Sequence, residues 1–259
     1  MQNVIPEQIY CEVMGSGPAL VLIHGWGLNG AVWQQIVPQL AQHFEVHIVD
    51  LPGFGHSHQL PISECLSDWT DAVVARIGKP AIYLGWSLGG LVATQAALRY
   101  PQQVIKLVTV ASSPKFVECN SWNGIKPEVL ALFQEQLNDD FAKTLARFLA
   151  IQAMGSESAK ADIKALNQML ALRPMPSSQA LKVGLTLLET VDLRQQLKSI
   201  NVPFLRIYGR LDSLVGHRMV KQIDNLAPQS QSVVLAKSSH APFISHPQQF
   251  LLSVVDFAR

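Results

Sequence analysis

Ser87 stands in the run Gly85-Trp86-Ser87-Leu88-Gly89, a G-x-S-x-G. A serine hydroxyl is a weak nucleophile until a base takes its proton, and that base needs a further group to orient it. The bare pattern arises by chance, so its flanks decide its meaning. The β-rich AIYLGW (81–86) precedes it, and the small-residue, helix-forming LGGLVATQAALRY follows until Pro101 halts it. A serine on such a strand-to-helix turn is lifted above the sheet edge at a helix N-terminus, whose dipole favours developing negative charge. The competing role for Ser87 is a plain helix cap; the strand–turn–helix context favours the nucleophile.

For an elbow of this kind the acid and then the base follow along the chain, each just past a strand. Asp212 follows FLRIYGRL and reads as the orienting acid, against the alternative of a surface turn residue. His240 follows SVVLAKSS and reads as the base, histidine being the side chain that passes protons near neutral pH. The same stretch, KSSHAPFISHP, holds His246; next to Pro247 it reads as a residue starting the last helix, remote from the elbow. His217, in LVGHRMV, reads as a solvent-facing residue near a helix start.

Acyl transfer also needs donors for a tetrahedral oxyanion. One is the N–H of Leu88, the residue after the nucleophile. The other is the N–H of Trp26 in His24-Gly25-Trp26-Gly27, the loop after the strand ALVLIH, and the Trp26 indole is placed to wall an acyl pocket. His24 itself reads as a satisfied structural histidine under that loop. Asp50, in VDLPGFGHS, reads as a residue that pins loop backbone, because a lone G-F-G is no dinucleotide site.

The elements that must position these residues are legible as an alternation. ALVLIH (19–24), FEVHIVD (44–50), AIYLGW (81–86) and VIKLVTVA (104–111) are apolar nearly throughout, as parallel strands covered on both faces are. AVWQQIVPQLAQ and LSDWTDAVVARIG between them read as helices. From 115 to 190 PEVLALFQEQL, DDFAKTLARFLAIQAM, ESAKADIKALNQMLAL and SSQALKVGLTLLETV carry helical periodicity and no convincing strand. Strands return with VPFLRIYG (202–209) and QSVVLAK (231–237). The expectation is an α/β fold with a mostly parallel sheet: a core of 1–114 and 191–259, and a helical cap of 115–190 forming one compact unit with it.

Composition narrows the classes. The 259 residues carry a formal charge of +1 and 48% hydrophobic content, enough for a sizeable core and no global pull toward nucleic acid. No apolar run reaches the ~20 residues of a membrane span, and MQNVIPEQIY lacks the basic-then-apolar order of a secretory leader. Cys11, Cys65 and Cys119 are odd in number and far apart, which fits a reducing cytoplasm. His43 and His47 fall along a strand, ~13 Å apart at the usual rise, and His56 and His58 have no cysteine or carboxylate cluster beside them, so no metal site is expected.

HGWG, DLPGFGHS, GWSLGG and the order Ser87–Asp212–His240 resemble the α/β-hydrolase superfamily across nearly the whole chain. The longer strings LIHGWGLN, LGWSLGGLVA, VTVASSP and HAPFISHP are similar to one branch of it. That branch is the carboxylesterases of biotin synthesis, which act on a dicarboxylate methyl ester borne by an acyl carrier protein. The resemblance implies an α/β-hydrolase fold, a triad of Ser87, Asp212 and His240, and Trp26 and Leu88 at the oxyanion and substrate site. It implies that Phe148, Leu149, Ala150, Ile151 and Gln152 line the acyl channel; read from the residues alone, this apolar stretch ending in one amide serves equally as cap core.

An acyl carrier protein is acidic. Lys143 and Arg147, and then Lys160 and Lys164, are each four apart on an expected helix, so each pair projects from one face as a docking surface. An ordinary solvated surface is the alternative, since Asp139, Asp140, Glu157 and Asp162 lie close. The resemblance implies arginines at such positions, and three of these four are lysines, which keep charge without bidentate geometry.

The expected activity is therefore a serine carboxylesterase, a cytoplasmic monomer without cofactor. A broad short-chain esterase or a carbon–carbon bond hydrolase keeps the triad and changes the substrate. A haloalkane dehalogenase is disfavoured by serine rather than aspartate at the elbow. A ligand-binding protein that retains the fold without turnover is the reading from another class.

Overall fold

The computed structural model describes residues 8–259. The start of the chain, read above for a leader, lies outside the described residues over 1–7. Seven strands form one sheet in the order β1-β3-β2-β4-β5-β6-β7. They are β1 (Cys11–Met14), β2 (Ala19–Ile23), β3 (Glu45–Val49), β4 (Ala81–Trp86), β5 (Val104–Val110), β6 (Phe204–Gly209) and β7 (Gln231–Leu235). Only β1 runs antiparallel, pairing β3 with Cys11 opposite Val49; every other pair is parallel. β2 and β4 are buried along their full length, which is why they read as continuous apolar runs.

Among the described residues ten α-helices accompany the sheet: α1 (Val37–Leu40), α2 (Leu66–Ile77), α3 (Leu88–Arg99), α4 (Pro127–Asp139), α5 (Phe141–Gln152), α6 (Ala159–Leu170), α7 (Ser178–Thr190), α8 (His217–Leu226), α9 (Pro242–Ser245) and α10 (Pro247–Ala258). α4 to α7 follow one another between β5 and β6. α4 packs on α5 and α7, and α5 on α6. Their inward side chains, among them Leu130, Phe133, Phe148, Leu149, Leu166 and Leu181, belong to the same apolar cluster as β2, β4 and β5.

Two elements differ from the sequence expectation. AVWQQIVPQLAQ is not one helix but a 3-10 turn (Gly30–Trp33) followed by the four-residue α1. Pro38 supplies no N–H for a bond back to Gln34 O, so a helix cannot run through it, but it fits the first turn of α1, where none is needed. β1 had no counterpart in the reading, because its four residues CEVM are half-buried or exposed and carry no apolar run.

The parallel register places the functional loops on one rim. Ile23 pairs with Gly85, Trp86 with Val110, and Gly209 with Leu235, so β2, β4, β6 and β7 end near one level. The loops carrying Trp26, Ser87, Asp212 and His240 all leave from these carboxyl ends, where open α/β sheets place their chemistry.

Candidate active site

Ser87 is the residue between β4 and α3, and its backbone is strained, at φ 54 and ψ −117. A non-glycine residue holds such a conformation only when its surroundings impose it. Here its N–H donates to Val110 O at 2.9 Å, while its carbonyl accepts from Gly90 N at 2.9 Å and from Ser112 Oγ at 2.8 Å. The glycines of the motif are close approaches. A Cβ at Gly85 would lie 2.1 Å from Gly89 O, and one at Gly89 2.4 Å from Ile23 O. The turn can be this sharp only because those side chains are missing.

Asp212 and His240 meet. Asp212 Oδ2 accepts from His240 Nδ1 at 2.8 Å, and Oδ1 accepts from the N–H groups of Leu214 at 2.8 Å and Val215 at 3.0 Å. With Nδ1–H committed to the carboxylate, Nε2 carries the free lone pair of the neutral ring. Nε2 is buried and has no hydrogen-bond partner among the described residues, Ser87 Oγ included. Such bonds often tighten only when substrate is bound. The two loops are tied at the backbone: Trp86 Nε1 donates to the carbonyl of His240 at 2.8 Å. Ser87 is 4% exposed and His240 1%, with α5 against the His240 loop through Gln152 O and α7 against Trp26 and Leu88.

The loop after β2 lies against Ser87. A Cβ at Gly25 would be 3.2 Å from Ser87 Cβ. Neither the Trp26 N–H nor the Leu88 N–H donates to a protein acceptor among the described residues. Trp26 Nε1 donates to Leu181 O at 2.9 Å, which turns the indole toward α7. A Cβ at Gly184 would meet Trp26 Cδ1 at 2.6 Å and Leu88 Cδ2 at 3.4 Å, so α7 presses directly on both.

Under this loop His24 is fully buried. Its Nε2 must accept, because Leu51 N–H donates to it at 3.0 Å, so Nδ1 carries the proton and donates to Gly25 O at 2.8 Å. Burial pulls its pKa down to about 4, keeping it neutral. Asp50 pins three segments: it accepts from Gly30 N at 2.7 Å and His56 N at 2.8 Å, and Arg173 Nη1 donates to it at 2.9 Å.

The cap residues divide. Phe148, Leu149 and Gln152 are buried and Ala150 and Ile151 half-buried, with Phe148 set edge-on to Trp26 at 4.6 Å between ring centroids. Gln152 Oε1 is buried without a partner among the described residues. Lys143, Arg147, Lys160 and Lys164 are all exposed, and none forms an ion pair among the described residues. Of the acids near them, Asp139 is exposed beside Lys143 and Arg147 without a partner among the described residues, and the other three are engaged. Asp140 caps α5 through Lys143 N, Asp162 is buried and bound by Ser158 Oγ, and Glu157 meets Lys237 at 3.7 Å. Arg147 leans on α4, donating to Gln136 Oε1 at 3.0 Å.

His246 and His217 are not joined to Ser87, Asp212 or His240 by any hydrogen bond among the described residues. His246 is the residue before α10, with Nδ1 2.9 Å from Ser245 Oγ, and His217 is exposed at the start of α8. No group of three or more His, Cys, Asp or Glu among the described residues is arranged to hold a metal ion, and no helix among them is long and apolar enough to cross a membrane. Sequence reasoning missed Trp86, Ser239 and Arg173. Trp86 and Ser239 act on backbone carbonyls, which no motif marks; Arg173 was findable as a lone cation in the short interhelical loop ALRPMP.

A serine on a strained turn, an imidazole with one nitrogen held by a buried carboxylate and the other free, and two unengaged N–H groups are the parts acyl transfer requires. The family model described as alpha/beta hydrolase fold matches residues 18–247. A pimeloyl-[acyl-carrier protein] methyl ester esterase from Photobacterium profundum is 53% identical over 96% of this chain and 97% of its own length. The protein of the same name from Klebsiella pneumoniae is 53% identical over 94% and 95%. Among solved structures, an esterase from Exiguobacterium antarcticum superposes with a TM-score of 0.86 at 22% identity, covering 96% of this chain and 94% of that one, a likeness of fold.

Proposed function

We propose, for a chain that belongs to the alpha/beta hydrolase fold family, a serine carboxylesterase acting on the methyl ester of pimeloyl-[acyl-carrier protein] in biotin synthesis. The products are pimeloyl-[acyl-carrier protein] and methanol. His240 Nε2 takes the proton of Ser87 as its Oγ attacks the ester carbonyl, and Asp212 holds the ring and stabilises the imidazolium. The N–H groups of Trp26 and Leu88 receive the oxyanion. The tetrahedral intermediate collapses, His240 returns the proton to the leaving methoxide, and methanol departs. Water then attacks the acyl-enzyme with His240 again as base.

The observation that carries the chemistry is the buried Asp212–His240 hydrogen bond at 2.8 Å, with the opposite ring nitrogen left free. The substrate is supported by relatives of that name at 53% identity over nearly the full chain. Residues 115–190 act as a cap over a core of 1–114 and 191–259. Phe148, Leu149, Ala150, Ile151 and Gln152 receive the aliphatic chain, and Lys143, Arg147, Lys160 and Lys164 meet the acidic carrier. The protein works as a monomer in the cytoplasm, consistent with three unpaired cysteines.

Ser87→Ala tests the reading. Turnover of carrier-bound methyl ester should fall by about 10⁴-fold or more, with the melting temperature and carrier binding retained. Full esterase activity in that variant sinks the mechanism. Equal kcat/KM on free and carrier-bound methyl esters of wild type leaves a broad esterase instead.

A further inference from the structure

His240 is held by its peptide as well as by its ring. Its N–H donates to the carbonyl of Gln152 at 3.1 Å, and Ser239 Oγ donates to the carbonyl of Met154 at 2.9 Å. Gln152 is the last residue of α5, where carbonyls have no intrahelical partner, and Met154 lies two residues on, in the turn after the C-cap Ala153. Here the histidine loop satisfies them. With α5 in place Ser239 and His240 are 2% and 1% exposed, so both donors depend on these carbonyls rather than on solvent. On the opposite side the His240 carbonyl is fixed to the elbow by Trp86. The base is thus gripped between α5 and the turn that carries Ser87.

Movement of the end of α5 would break that grip. Displacing the end of α5 removes the acceptors of both His240 N–H and Ser239 Oγ.

We propose that the turn Gln152–Met154 is a positioning element for His240, so that seating α5 over the core and readying the base are one event. Ser239 is a positioning residue: it acts through the loop it shares with His240. The inference rests on His240 being the base, as proposed above.

Two variants of the full chain test it from opposite sides of the contact, assayed on a free p-nitrophenyl ester so that carrier docking plays no part. Ser239→Ala removes the donor to Met154. Gly155→Ala strains the turn from the helix side: Gly155 has φ +86, and its Cβ would meet nothing closer than Leu211 O at 3.4 Å, so the backbone takes the effect. Each should lower kcat about five- to tenfold, as losing one buried hydrogen bond does, with KM within about twofold. The far-downfield proton signal of the His240–Asp212 bond should broaden. The double variant should lose little more than either single one, since both act through one turn.

Wild-type kcat in both singles, or losses confined to KM or melting temperature with the proton signal intact, overturns the proposal. His240→Ala is measured beside them. If it is inactive while Ser239→Ala is normal, only the positioning role fails; if it stays active, the assignment of the base fails and takes this inference with it.

Discussion

The sheet with its loops, and helices α4 to α7, the proposed cap, hold the candidate site by different means. In the core, backbone lies on backbone: a Cβ at Gly85 would fall 2.1 Å from Gly89 O, and one at Gly209 2.0 Å from Ser239 O. In the cap, side chain lies on side chain: Phe148 meets Trp26 at 4.6 Å and Phe133 at 5.7 Å between ring centroids. A backbone contact admits one residue type, whereas an apolar side-chain contact admits several of similar volume. The core should therefore fail sharply on small changes, and the cap should yield gradually.

Gly85→Ala is the most direct way to break that contrast. Its new methyl meets only main-chain atoms, the nearest being Gly89 O and C and Gly90 N, so the first turn of α3 must move and carry the Leu88 N–H with it. We expect kcat to fall about a thousandfold, the cost of a misplaced oxyanion donor, with a lower melting temperature. Phe148→Leu, at a cap contact, should keep most of the turnover. Comparable losses in the two variants would dissolve the distinction.

The second test concerns how firmly the core fixes its own polar groups. His24 has an ordinary pKa near 6.5 when unfolded and about 4 when folded. Between those values the unfolded chain binds the extra proton, so stability is whole above about pH 6.5 and falls as pH drops toward 4. The full loss from this one group is roughly 3 kcal/mol. Urea midpoints across that range should show the decline, and His24→Gln should flatten it. An unchanged slope in the variant removes His24 as the cause.

The cap's outer face should respond most gently and depend on the substrate. Reversing Lys143 and Arg147 to glutamate leaves the buried face of α5 untouched, since both are exposed and outside ion pairs. KM for carrier-bound ester should rise about tenfold at low salt and the effect should shrink as salt rises. Activity on free methyl esters should stay within about twofold. A matching loss on free esters means that the helix itself was damaged.

What the sequence made legible follows the same division. The elbow could be read because Gly85 is demanded by Gly89 and Gly90 in the same turn, although Gly89 answers to the distant Ile23 O. The strand end before Asp212 could be read because β6 is buried and, Arg206 apart, apolar; β7, which leads to His240, is mostly exposed and showed only through its paired valines. The cap's four helices showed as periodicity, but periodicity does not say which atom of Gln152 matters; it is the main-chain carbonyl, common to every residue, that meets His240. The same blindness hid Ser239, whose partner is the Met154 carbonyl. The Asp50–Arg173 pair joins positions 123 residues apart, and no local pattern links them. The failed helix at 31–42 shows the reverse error: a good apolar pattern outweighed a single Pro38, although one missing N–H suffices to break it.

The smallest expected effect sits six positions from His240, the proposed base. His246 shares the stretch KSSHAPFISHP with His240, yet the chain turns through α9 between them. His240 leaves β7 toward the rim and is gripped by Asp212, Gln152 and Trp86. His246 precedes α10 without a side-chain bond to that helix's N–H groups, touching only Ser245 Oγ. Deleting its ring removes neither a cap nor a buried charge partner, so His246→Ala should cost at most ~1 kcal/mol and leave kcat unchanged. His240→Ala should abolish turnover while the protein still melts cooperatively. Catalytic collapse in a well-folded His246→Ala would reverse the two roles, because the only physical difference between these imidazoles is where the chain sets them down.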